Sequence, residues 1–289
     1  MKKVSRRNWI KASAGVAASA AALSLPSILN ATSGGSHSLN SAFGDSNSKN
    51  SAFEDYRSKQ SSRGFGSKPR NNRRKALIIG AHPDDPETIA GGTMIRLLEA
   101  GWDVLCVYLT RGEAGIKGMS GDEAAAIREK ECIAACKVTG ARYQFMSQVD
   151  GATEINKERY AEMLAVIKKE NPEIVITHWP IDTHRDHRIC SILVYDAWRQ
   201  SGYNFNLFYA EAMTGMQSMK FLPTDYVDIS AVAEKKHQAC LCHESQGMPE
   251  LLSDWHIPME KFRGMEYGCA YAEGFIHLTA HLSPSFVAL

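Results

Sequence analysis

KALIIGAHPDDPE, Lys75 to Glu87, is the stretch from which the fold can be read. Its first half, KALIIG, is a short apolar run bounded by glycine, the pattern of a strand buried on both faces. Its second half presents a histidine and two adjacent carboxylates. Neighbouring carboxylates repel one another and lose solvation on burial, so a pair of them at a strand end marks a place where positive charge is expected. A metal ion is the simplest source of it.

Reading outward, apolar strand runs alternate with helical periods. ETIAGGTMIRLLEAG spaces Ile89, Met94, Leu97 and Leu98 as one helix face and stops at Gly101. DVLCVYLT is a second strand, GDEAAAIREKECIAACKVTG a helix closed by Gly140, and RYQFMS a short third strand. NKERYAEMLAVIKKENP is an amphipathic helix stopped by Pro172, EIVITHW a fourth strand, and HRDHRICSILVYDAWRQSG the helix after it. Such alternation predicts an α/β fold, Rossmann-like, with a mostly parallel sheet and helices on both faces. Ligands of these sheets sit at the carboxyl ends of the strands, where the strand order reverses.

A second polar motif follows the fourth strand. THWPIDTHRDH, Thr177 to His187, carries His178, Asp182, His184, Asp186 and His187. Both motifs follow strands, so both open on the same edge of the sheet. His82, Asp84, Asp85, His184, Asp186 and His187 then meet without further assumption. Imidazole nitrogen and carboxylate oxygen suit zinc, whose catalytic sites keep three protein ligands and a water. His82, Asp85 and His187 make such a set. Asp84 is left free beside the water as a general base, Asp186 orients an imidazole, and His184 polarises the oxyanion or protonates the leaving amine. Taken singly, each motif also fits a bland role. HPDD suits a surface turn and HRDH a solvated helix start. A dinucleotide site is disfavoured, because the first strand is followed by Pro-Asp-Asp rather than G-x-G-x-x-G, and carboxylates there would repel a pyrophosphate.

At these residues the chain resembles the PIG-L/LmbE-like family of zinc-dependent N-deacetylases. AHPDD at 81–85 and HRDH at 184–187 carry the resemblance. TRGEAG at 110–115, REKECIAACKVTG at 128–140, VDG at 149–151, KKHQACLCHESQ at 235–246 and YAEGF at 271–275 support it over roughly residues 75–280. The resemblance implies one zinc ion on His82, Asp85 and His187, Asp84 as general base, His184 as electrophilic or acid partner, and Asp186 as its orienting group. It implies hydrolysis of the acetamide of an N-acetylglucosamine-type sugar or glycoconjugate. By motif position it implies that Glu113, Arg128 and Asp150 contact the sugar. In plainer terms, Arg128 can pair with Glu131 on its own helix and Asp150 can simply make a turn. Pro86 stands where many relatives have an acidic or small residue.

Three alternatives remain open on the sequence: an amidase for another N-acylated metabolite, a metallophosphoesterase, and a non-catalytic glycan-binding module. The second wants more clustered acids for a second metal. The third sits poorly with an intact set of ligands and base.

The ends of the chain differ from its body. Residues 1–75 hold 14 Lys and Arg against 3 Asp and Glu, whereas the whole chain holds 33 against 32. The body is therefore acidic, which argues against a nucleic-acid partner. SRRNWIK, with Arg6 and Arg7 before an Ala-rich apolar run, reads as a twin-arginine-type export signal over 1–31. The apolar run is short for a stable span, so no membrane span is expected once the signal is cleaved, although a retained anchor is the competing reading. Residues 32–74 read as a disordered polar linker and 75–289 as the deacetylase-like domain, periplasmic or extracellular. An oligomer is compatible with this layout. The seven cysteines lie mostly in apolar runs and read as buried thiols. CLCH at 240–243 lacks the second pair that a zinc ribbon needs. Trp255 and Tyr271 are candidate rim aromatics, and His243 and His277 have no assigned role.

Overall fold

The computed structural model describes residues 73–279 apart from residue 214. The export signal expected over 1–31, and the linker expected over 32–74 but for Arg73 and Arg74, lie outside the described residues. No helix among the described residues is long and apolar enough to cross a membrane.

Seven strands form one sheet. They are β1 (Lys75–Gly80), β2 (Asp103–Tyr108), β3 (Arg142–Phe145), β4 (Ile174–His178), β5 (Asn206–Ala210), β6 (Asp225–Asp228) and β7 (Ala272–Leu278). Their order across the sheet is β3-β2-β1-β4-β5-β7-β6. The first five are parallel. β7 runs antiparallel to β5, and β6 antiparallel to β7. The chain winds outward from β1 to β3 and then returns to lay β4 on the other side of β1. The order therefore reverses between β1 and β4, and the loops leaving these two strands diverge around a crevice.

The helices are α1 (Asp85–Glu99), α2 (Gly121–Thr139), α3 (Lys157–Glu170), α4 (Arg185–Gln200), α5 (Ala233–Leu241), α6 (Met248–Leu251) and α7 (Ile257–Tyr267). Alternate residues of β1 feed two cores. Leu77 and Ile79 pack with Met163 and Ile167 of α3 and Leu193 of α4. Ala76 and Ile78 pack with Ile89 and Met94 of α1 and Cys132 of α2. Both faces are thus covered, which explains why β1 is apolar at consecutive positions from Ala76 to Ile79 rather than at alternate ones. The helix ends follow local chemistry. Ser120 and Glu123 form a capping box at the start of α2, and Gly140 closes it at φ 94°.

α1 departs from the simple helix expected. It breaks at Ala90, whose φ is −152°, and restarts under the Glu273 carboxylate of β7. That carboxylate accepts from the N–H groups of Gly92 and Thr93, each at 2.8 Å, as an anion at a helix start should. Lys236 of α5 donates to Glu273 at 2.7 Å and to the Thr88 carbonyl at 2.9 Å. It also pairs with Glu260 at 2.8 Å. The glycines of TIAGGTM exist for this approach: a Cβ on Gly92 would stand 2.5 Å from Ile229 Cγ2.

Candidate active site

The turn after β1 doubles back tightly. A Cβ on Gly80 would lie 2.5 Å from Asp85 Cβ, so only glycine lets the Pro-Asp-Asp turn fold against the strand. Asp84 takes φ 122° and ψ −28°, a region that a residue with a Cβ seldom occupies. Its carbonyl is held by Thr88, from N at 3.0 Å and Oγ1 at 3.1 Å. Strain kept in this way belongs to sites where orientation matters more than local stability.

Asp85 is the hub. Its Oδ2 accepts from the His82 backbone N–H at 2.7 Å and lies 3.3 Å from His82 Nδ1. Its Oδ1 lies 3.3 Å from His187 Nε2. The His82 and His187 rings are 5.3 Å apart, centroid to centroid. The three residues expected to hold a metal therefore converge through Asp85, two arriving on the β1 turn and one on the first turn of α4. Two overlapping groups share their atoms. His82, His184 and His187 offer ligand atoms all within 4.8 Å of one another, and so do Asp85, His178 and His187.

His178, the last residue of β4, belongs to the second motif but has no role that the sequence assigns. It is fully buried and stacks on His187 at 3.8 Å. Its Nε2 receives the Ala81 N–H at 3.2 Å and stands 3.1 Å from Asp85 Oδ2. One nitrogen cannot accept from Ala81 and donate to Asp85 together, so a carboxylate and an imidazole lone pair face each other there. Nδ1 has no partner among the described residues. Burial, then His187, lowers the His178 pKa to about 4 and keeps the ring neutral. A cation beside these lone pairs relieves the conflict, and the mixed imidazole–carboxylate set suits zinc.

The surrounding carboxylates hold positive charge at the centre. Burial works against protonation of His82, but Asp150, Asp186 and Asp85 outweigh it and raise its pKa. Burial likewise opposes His187, yet Asp85 and Asp182 raise it to about 9. Asp186 Oδ2 lies 3.3 Å from His82 Nε2 and accepts from the Gly151 N–H at 2.8 Å, while its Oδ1 accepts from Thr153 Oγ1 at 2.6 Å. Asp182 Oδ2 lies 3.4 Å from His187 Nδ1. These carboxylates orient the rings, as the outer partners of metal-binding histidines do.

Asp84 is not free of protein contacts. Arg128 reaches it across from α2, Nη2 to Oδ2 at 3.1 Å, and also donates to the Pro83 carbonyl. Arg128 does not pair with Glu131, which accepts from Ser245 instead. Burial, partly countered by Arg128, raises the Asp84 pKa. Arg128 threads between the glycines of TRGEAG. A Cβ would lie 2.5 Å from its Cδ at Gly112, where φ is +79°, and 2.3 Å from its Nη1 at Gly115.

Of the other residues tied to sugar contact, Asp150 lines the cavity with Arg128, while Oδ1 sits 3.2 Å from His82 Nε2. Glu113 accepts from the N–H groups of Arg111 and Asp150 at 3.2 and 3.1 Å and does not line the cavity. His184 is exposed at the rim, its ring 4.7 Å from those of His82 and His187. Burial and these two rings lower its pKa.

The cavity over this centre measures about 390 Å³. Its far wall comes from Met213, Gln217, Gln246, Met248, Leu251 and His256, none of which the spacing of the two motifs indicates. Trp255 lines a neighbouring recess, and Tyr271 packs near Ile229 and Val232, away from the centre.

The family profile described as PIG-L, GlcNAc-PI de-N-acetylase, matches residues 77–198. The chain is 32% identical to a diacetylchitobiose deacetylase of Thermococcus kodakarensis, over 72% of this chain and 84% of that one. The chain belongs to the PIG-L family. A relative named for other chemistry, a 4-oxalmesaconate hydratase of Pseudomonas putida, is 26% identical over 67% of this chain and 81% of its own. Among solved structures, the N,N'-diacetylchitobiose deacetylase of Pyrococcus horikoshii superposes with a TM-score of 0.66 at 24% identity. The match covers 84% of this chain and 99% of that one, and at this identity it speaks for the fold.

Proposed function

We propose that this PIG-L chain is a metal-dependent N-deacetylase that frees acetate from an N-acetylglucosamine-type sugar or glycoconjugate. One observation carries the reading. At the reversal of strand order, Asp85 joins His82 and His187, and Asp84 stands beside them on the cavity wall. The activity for which the Thermococcus relative is named supports the substrate class.

His82, Asp85 and His187 would hold the ion, with zinc the choice on donor chemistry. When bound, a divalent ion polarises a carbonyl oxygen and lowers the pKa of water to about 7. The chain's own groups do the rest. Asp84 takes the proton of the attacking water on Oδ1, because Arg128 occupies Oδ2. Its raised pKa makes it a stronger base than an ordinary carboxylate. His184, neutral near pH 7, donates an N–H to the oxygen of the tetrahedral adduct. The proton on Asp84 then passes to the departing nitrogen as the C–N bond breaks. Arg128 and Asp150, on the cavity wall, would touch the sugar only with what their contacts to Asp84 and His82 leave over.

A hydratase would use the same base and ion on a different acceptor. The higher identity to the deacetylase favours amide cleavage. The same proposal has the chain exported by its Arg6-Arg7 signal. The test is acetate release from a panel of N-acetylated mono- and oligosaccharides, with zinc and after chelation. Release that requires metal supports the reading; a metal-loaded protein that frees no acetate from any of them overturns it.

A further inference from the structure

A second set of metal-type donors lies outside the reaction cavity, in the core between α1, β2 and α2. Glu87 stands on the first turn of α1, Cys106 and Tyr108 on β2, and Cys132 and Cys136 one turn apart on α2. His243 follows α5. The largest exposure among them is 3%, at Cys136. The ligand atoms of Glu87, Cys106 and Cys136 all lie within 4.8 Å of one another. Glu87 Oε1 accepts from the Tyr108 hydroxyl at 2.7 Å and is 4.0 Å from Cys136 Sγ.

Packing accounts for the thiols, since buried cysteine behaves as a small hydrophobe. It does not account for the polar atoms among them. Glu87 Oε2 and both ring nitrogens of His243 find no hydrogen-bond partner among the described residues. The carboxylate and ring approach only to 3.5 Å. Native interiors seldom leave such atoms unpaired, and an ion or water is the usual reason where they do. The thiols select the ion, because sulfur ligands favour zinc and softer metals over magnesium or calcium.

The geometry points to a structural transition-metal site on Cys106, Cys136 and Glu87, with Cys132 or His243 as the fourth ligand. Sulfur and oxygen ligands on tetrahedral zinc stand roughly 3.5 Å apart, so a closure of about 1 Å forms the site. It shares no ligand with the centre over Asp85. It would tie β2 and α2 to the first turn of α1, two residues beyond Asp85, and so brace the turn that carries Asp84.

The experiment strips the full chain of metal and titrates it with Co2+. Metal bound is counted, and the thiolate-to-cobalt charge-transfer band in the near ultraviolet is recorded. The wild type should take two equivalents, one with the band. Cys106→Ser with Cys136→Ser should take one and lose the band. His187→Ala should take one and keep the band. Should the first variant fail to fold, Cys242→Ser with Cys269→Ser, which leaves the buried set intact, must keep the full band. A wild type with no thiolate band overturns the site, and that is the outcome if water alone fills it. A band that survives loss of Cys106 and Cys136, or that disappears with Cys242 and Cys269, overturns it equally.

Discussion

Asp84→Asn separates the proposed base from the proposed ligands. Asparagine is isosteric and keeps an oxygen to accept the 3.1 Å contact from Arg128. The turn therefore has no new reason to move. Asp84 is in none of the close donor groups, so metal content should stay at the wild-type value. What disappears is the atom that takes the proton. A positioned general base contributes about 10²–10⁴-fold, or about 3–5 kcal/mol at 1.36 kcal/mol per tenfold. Turnover in acetate release should fall by that factor with KM little changed. Asp84→Ala should lose as much activity and stability besides. It leaves the Arg128 guanidinium, 3% exposed, with the Pro83 carbonyl and an Asp150 contact at 3.9 Å. The added loss is about 1–3 kcal/mol for a buried group stripped of its partner, read from denaturant midpoints. If Asp84→Asn turns over within tenfold of wild type, or loses metal as His187→Ala does, the assignment of Asp84 is refuted.

Chelation should abolish acetate release and zinc should restore it, while His187→Ala should lose the ion measured by elemental analysis; undiminished zinc in that variant removes His187 from the set. Gly112→Ala should displace Arg128, since its Cβ would lie 2.5 Å from Arg128 Cδ at a φ of +79°. It should cost about 1–3 kcal/mol of stability and lower activity as well, and wild-type values for both would show that the arginine's path is not fixed. Glu260 is buried, and burial alone would raise its pKa, yet Lys236 and His237 pull it down to about 2. A depressed carboxylate stabilises the fold above its unfolded pKa near 4.5, and that stability is lost as pH falls towards 2. Glu260→Gln should therefore unfold about 3 kcal/mol more easily at pH 7, with the gap closing between pH 4.5 and 2. A gap unchanged at low pH contradicts the sign. Arg6→Lys with Arg7→Lys should leave the full-length chain in the cytoplasm by fractionation, and unaltered export would discard the twin-arginine reading.

The alternation of strands and helices was legible because buried parallel strands must be apolar throughout and their covering helices amphipathic. KALIIG and EIVITHW say so directly, and both appear as β1 and β4. The meeting of the two histidine–aspartate motifs was legible for the same reason, since parallel strands end on one edge. The role of His178 was within reach, because it is the last residue of β4. Arg128 was legible as a residue of interest but not in its contact, which depends on where α2 lies against the turn. The break in α1 was hidden, because its cause, Glu273, is 181 residues from Gly92.

By itself the sequence determined the class of fold, the two loops that share an edge, and the donor chemistry of the centre, since these follow from local periodicity and from residues adjacent in the chain. The tertiary structure alone decided which carboxylate is the hub, which oxygen of Asp84 Arg128 occupies, and what forms the far wall of the cavity. Those outcomes depend on distances between segments far apart in the chain, and periodicity within a segment carries no information about them. The thiols divide along the same line. Burial of Cys106, Cys132, Cys136 and Cys190 was readable from their apolar neighbours; that Cys106 and Cys136 gather around an under-satisfied carboxylate is a property of packing.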